Sequence, residues 1–125
     1  MARLVRKYYD SGNLYKEHFE INGNVEGNDK LYWKSGSIWN ICNLVHHKFY
    51  GSCLYYDMNG NIEAVKYLIN DKLCGSHIEY YPNGKKILEC NFENGFLNGY
   101  RYDYDRNGNL IKKKKYDKGL EVNEL

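Results

Sequence analysis

Tyr80-Tyr81-Pro82-Asn83-Gly84 opens a stretch that runs on through Lys86–Glu93 and closes as Asn94-Gly95-Phe96-Leu97-Asn98-Gly99. Asn-Gly is a strong short-range signal for a chain reversal, because both residues enter the left-handed backbone region with little penalty. Pro82 sits where φ is held near about −65°, which agrees with a type I turn closed by a glycine bulge. Two reversals therefore bracket a run of strand length, and the local reading is a β-hairpin.

Outward from residue 84 the same spacing recurs. Gly12, Gly36, Gly60, Gly84 and Gly108 are 24 residues apart, and a tyrosine stands four positions before each: Tyr8, Tyr32, Tyr56, Tyr80 and Tyr104. A second glycine column, Gly27, Gly51, Gly75 and Gly99, keeps the period and fails only at Asn123. Columns in phase mark a tandem repeat, which has to be recognised before any other reading. Five units of 24 residues follow, at about 6–29, 30–53, 54–77, 78–101 and 102–125, within one domain spanning 1–125.

Each unit has a second turn pair: Asn22-Gly23, His46-His47, Asn70-Asp71, Asn94-Gly95 and Lys118-Gly119. Between the turns lie eight-residue stretches rich in β-branched and aromatic residues: Leu14–Ile21, Ile38–Val45, Ile62–Ile69, Lys86–Glu93 and Leu110–Asp117. The expected fold is all-β: an elongated, single-layer antiparallel sheet of hairpins with about ten strands. Equivalent residues in successive units should lie about 9.6 Å apart, two strand spacings. The tyrosines would then form a ladder, with a glycine column nearby letting rings lie flat on backbone. Strict alternation would also put Leu14, Ile38, Ile62 and Leu110 on the same side as Leu44, Leu68, Phe92 and Tyr116.

Composition fits many strands joined by tight turns: 14 of 125 residues are Tyr, 12 are Gly, and Pro82 is the single proline. A net charge of +2 is too small to argue for a nucleic-acid partner. Met1-Ala2-Arg3-Leu4-Val5-Arg6 lacks the apolar run of a signal peptide, and no stretch is apolar enough for a transmembrane helix. The expectation is a cytoplasmic protein with reduced thiols.

Cys42, His46, His47, Cys53, Cys74, His77 and Cys90 invite a metal-site reading, which the repeat frame opposes. Cys42 and Cys90 share a column two units apart, hence about 19 Å, and Cys53 and His77 lie about 9.6 Å apart in adjacent units. Both exceed the reach of one ion, so no metal or other cofactor is expected. Cys42 and His46 are about 13 Å apart along a strand, too far for a nucleophile and its base. Acidic pairs such as Asp103/Asp105 and Glu17/Glu20 read as solvated strand charges, and the chain reads as non-enzymatic.

Two features remain as interaction candidates. Lys112, Lys113, Lys114 and Lys115 could meet an anionic surface, although lysines on a terminal strand also discourage edge-to-edge pairing. A single sheet with no helix to cover it should leave aromatics exposed. Trp33, Trp39, Tyr15, Tyr50, Tyr55, Tyr81 and Tyr100 are the candidates for binding a protein partner.

The pattern N-G-x-x-x-G in Asn22–Gly27 and Asn94–Gly99, with Tyr80-Tyr81-Pro82-Asn83-Gly84, resembles MORN repeats. It is most similar to the longer MORN variant of bacterial antitoxin-component-like and viral proteins, over roughly residues 6–120. His46-His47 and Asn70-Asp71 depart from the Asn-Gly of that pattern. The resemblance implies a β-hairpin array used for protein–protein contact, scaffolding or attachment near membranes, and it brings no catalytic residue. The expected function is a protein-binding scaffold, with a homodimer as the simplest way to cover the aromatic face. A toxin-neutralising partner protein is the first alternative, and a peripheral membrane adaptor using the C-terminal lysines is the second.

Overall fold

The computed structural model describes residues 1–123, so Glu124 and Leu125 at the end of the fifth unit lie outside the described residues. The strands are Ala2–Tyr8 (β1), Leu14–Ile21 (β2), Asn24–Tyr32 (β3), Ile38–Val45 (β4), Lys48–Tyr56 (β5), Ile62–Ile69 (β6) and Lys72–Leu73 (β7). They continue with Gly75–Tyr80 (β8), Lys86–Glu93 (β9), Phe96–Leu97 (β10), Gly99–Tyr104 (β11), Leu110–Asp117 (β12) and Leu120–Val122 (β13). All thirteen belong to one antiparallel sheet in which sequence neighbours pair. β7 and β8 occupy one lane and β10 and β11 another, so the sheet has eleven lanes rather than the expected ten. The extra lane is β1, which pairs with β2 as a returning strand does and precedes the first complete hairpin.

Both kinds of turn follow from local chemistry. Each second turn has φ > 0 at both central residues: Asn22 (51°) and Gly23 (80°), His46 (49°) and His47 (67°), Asn70 (49°) and Asp71 (69°), and likewise in the remaining two. That is the two-residue turn whose twist matches paired strands. In His46-His47 neither residue has the amide or absent side chain that eases this backbone, a penalty of about 1–2 kcal/mol per residue. The first turns close differently. The residue after each tyrosine donates to the carbonyl four positions on, as Tyr81 N does to Lys85 O at 2.8 Å. The glycine amide donates back to that same residue, as Gly84 N does to Tyr81 O at 2.9 Å.

The glycine column at 27, 51, 75 and 99 marks a bulge. Within the second hairpin Cys42 faces Cys53 and Leu44 faces Phe49, so one residue of β4 lies against three of β5. On its other side β5 pairs without interruption from Gly51↔Leu68 to Tyr55↔Ala64. The glycines take φ values of 81°, 101°, 76° and 86°. A Cβ at Gly27, Gly75 or Gly99 would meet nothing within 4 Å. These positions therefore need glycine for its backbone, and the expected packing of rings against them is not observed. A further register shift, between Lys7 and Tyr8 and at every equivalent point, leaves one extra residue at the start of each outgoing strand. Parity does not carry across that irregularity, so alternation does not place Leu14, Ile38, Ile62 and Leu110 with the Leu44 column. Lys86 of the former column bonds Glu89, three residues on, at 2.8 Å.

Units are stitched together by repeated hydrogen bonds. Asp71 N donates to Phe49 O, Gly95 N to Leu73 O and Gly119 N to Leu97 O, each reaching back 22 residues at 2.8–3.1 Å. The hydrophobic core lies toward the middle: Val25, Cys42, Leu44 and Cys53 form a buried cluster, with Tyr55 and Leu68 packed against it. No helix occurs among the described residues, and the layer's stability rests on contacts between neighbouring hairpins.

Candidate functional site

The column at 9, 33, 57, 81 and 105 follows each repeat tyrosine, and it decides which aromatics are structural. Tyr9 Oη donates to Tyr32 O at 2.6 Å, Trp33 Nε1 to Tyr56 O at 3.3 Å, and Tyr81 Oη to Tyr104 O at 2.8 Å. Each side chain is a strut to the next unit's tyrosine. Asp57 and Asp105 close their own turns instead. Asp105 Oδ1 accepts from Asn107 N and Asn109 N at 2.9 and 3.0 Å, and the Asn109 amide above all holds its carboxyl below the usual range.

The aromatic residues expected to bind a partner separate on this basis. Trp33 stacks on Trp39 with centroids 4.8 Å apart, and the same groove is lined by Tyr9, Lys34, Ser35 and Met58. Beside it Tyr9 meets Tyr15 edge-on at 5.1 Å. Tyr15 and Tyr50 are exposed, whereas Trp33, Trp39, Tyr55, Tyr81 and Tyr100 are half-buried. Tyr55 lies under Lys66 Nζ at 4.9 Å, next to the central cluster, and Tyr81 lies under Arg106 at 5.9 Å. The seven residues thus do not form one patch. The contiguous part is Trp33, Trp39 and Tyr15, to which the structure adds Tyr9 and Met58. Tyr9 was legible as a member of the Trp33/Tyr81 column. Met58 carried no signal, because its place beside the tryptophans depends on how one unit's turn overhangs the next.

The lysine run does not present one surface. Lys113 sits over the Tyr100 ring at 4.4 Å and the Tyr102 ring at 5.9 Å, and Lys115 over Tyr100 at 5.5 Å. Lys114 pairs with Glu121 at 3.3 Å. Strand alternation sends Lys113 and Lys115 to one face and Lys112 and Lys114 to the other. The run lies on β12, which is not the last strand, since β13 pairs with it at Lys115–Asp117.

The cysteines require a correction. Cys42 and Cys53, expected as reduced thiols, are disulfide-bonded, with Cα atoms 4.1 Å apart. Residues 42 and 53 face each other across one hairpin, a pairing that the spacing of columns between units does not reveal. Register likewise brings Cys90 opposite His77, an adjacency not read from the sequence. His77 Nε2 lies 3.0 Å from Glu79 Oε2, while its Nδ1 is buried with no hydrogen-bond partner among the described residues. Burial pushes the Cys90 thiol up to about 11, so at neutral pH it is protonated and a poor nucleophile. Iodoacetamide near neutral pH is expected to label half-exposed Cys74 at least about tenfold faster than Cys90, read by peptide mapping. Equal rates would show that Cys90 is neither buried nor held as a thiol.

Residues 73–94 match the family model of the MORN repeat variant, which supports assignment of the chain to the MORN repeat family. The matched span runs through β8, the Pro82 turn and β9. Its glycine-closed turn recurs with the same hydrogen bonds in each of the other units. No curated protein matches the chain.

Proposed function

We propose that this MORN-repeat array is a non-enzymatic protein-binding scaffold, and that its contact surface centres on Trp39 with Trp33, Tyr15, Tyr9 and Met58. The observation that carries this reading is the stacked tryptophan pair on an open groove. Large aromatic rings gathered at the surface of a layer are the usual anchors of protein recognition. Met58 is 69% exposed beside them, and a flexible thioether adapts to a partner's shape. The membrane-adaptor reading gains nothing from the lysine run, whose charges divide between two faces and pair with Glu121 and tyrosine rings.

The struts dictate how the test is made. Replacing Trp33 or Tyr81 removes a bond between units, so loss of binding there would mix with loss of folding. Trp39 makes the stack without a strut, and Trp39→Ala is expected to change stability by about 1 kcal/mol or less. Capture of partners from the native lysate with wild type and with Trp39→Ala, each checked by circular dichroism, decides the matter. A stoichiometric partner lost only with the variant supports the reading. A second copy of the chain as that partner, confirmed by light scattering, makes the surface a self-association site. Binding that is indifferent to Trp39 sinks the proposed surface.

A further inference from the structure

We propose that the Cys42–Cys53 bond is a redox-controlled clasp that holds the turn end of the second hairpin closed. Cys42 and Cys53 are directly opposed on β4 and β5, and both are buried. At the equivalent cross-strand places the first, third and fourth hairpins carry His18 and Asp29, Lys66 and His77, and Cys90 and Arg101, so among these the second hairpin alone can form the bond. This hairpin also has the least favourable turn. His46-His47 replaces Asn-Gly, and both imidazole-bearing residues sit at positive φ.

Beyond the bulge only two ladder pairs, Leu44↔Phe49 and Val45↔Lys48, lie between the clasp and the turn. The turn borrows further support from the first hairpin, where His46 N donates to Glu26 Oε1 at 2.8 Å. The clasp therefore stands at the last point where the two strands are firmly registered. Val45, Phe49 and Tyr50 lie on its turn side, all exposed, and the oxidation state sets how freely they move.

The chemistry is thiol–disulfide exchange with a thiol such as glutathione. One glutathione thiolate attacks a cysteine sulfur, breaking the S–S bond and releasing the other cysteine as thiolate. A second displaces the mixed disulfide; glutathione disulfide leaves, and both cysteines take up protons. Because both sulfurs are buried, attack waits on opening of the hairpin.

The test uses the full chain. After refolding in a glutathione buffer, the intact mass is expected to be lower by two hydrogens, with a linked peptide pair containing Cys42 and Cys53. Four free thiols would overturn the proposal. Hydrogen exchange over residues 44–50 is then compared between oxidised and reduced protein. Reduction is expected to speed it about tenfold while leaving the equivalent segment 68–74 unchanged. Equal exchange in both states overturns the clasp. Global loss of protection on reduction would make the bond merely structural and also overturn it. Installing the missing turn chemistry, His46→Asn with His47→Gly, is expected to restore slow exchange in the reduced protein; failure to do so would break the link between clasp and turn.

Discussion

Replacing Leu44 by Ala is expected to lower the unfolding free energy by about 3 kcal/mol, shifting the urea midpoint with little change in slope. Leu44 is 6% exposed and belongs to the central cluster with Val25, Cys42 and Cys53. It faces Gly27 on one side and Phe49 on the other. Glycine contributes no side chain, so nothing can swing in from that strand to fill the space, and much of the cavity term should be felt. The control is Ile111→Ala at the far end of the array, where 65% exposure leaves little burial to lose. That change should stay within about 0.5 kcal/mol. A loss below about 1 kcal/mol at Leu44 would show that the central hairpins are not held by this cluster.

Gly51→Ala is expected to destabilise by about 2 kcal/mol, and Gly51→Met, longer but unbranched at Cβ, by only slightly more. The φ of 101° at Gly51 lies outside the region that residues with a Cβ adopt readily. A Cβ built there would lie 3.7 Å from Asn43 Nδ2, an ordinary contact, so steric clash is not the cause. The bulge also aims the backbone carbonyl of Tyr50 at Asn43, whose Nδ2 donates to it at 2.7 Å. If the backbone is the reason for the glycine, side-chain size should matter little. A Met variant far worse than the Ala variant, measured by urea unfolding, would point to crowding instead.

Much of this molecule is readable before any coordinates exist, for a reason visible in the turns. A hairpin array needs left-handed backbone at fixed intervals, and only a few residue types supply it easily. Gly84 after Asn83 and Gly95 after Asn94 therefore announce their conformation locally, and the period of 24 repeats the announcement. The five outgoing strands run where the spacing of the turns puts them. The site was less legible. Trp33 and Tyr81 looked like free binding residues, because nothing short of the fold shows that the tyrosine carbonyl of the next unit lies within reach of their polar atoms.

What the sequence determined by itself is the hairpin, its period and the all-β class, each a consequence of backbone preferences acting within a few residues. What only the tertiary structure decided is which side chains meet. The bulges at Gly27, Gly51, Gly75 and Gly99 insert residues into one strand and not its partner, so register cannot be counted from sequence separation. Cys42 finds Cys53 because of the insertion at Gly51, whereas Cys90 faces His77 through the register of the Pro82 hairpin and Met58 meets the tryptophans where one unit's turn lies beside the next. Pairing across strands is a property of how two backbones line up, and no single strand carries that information.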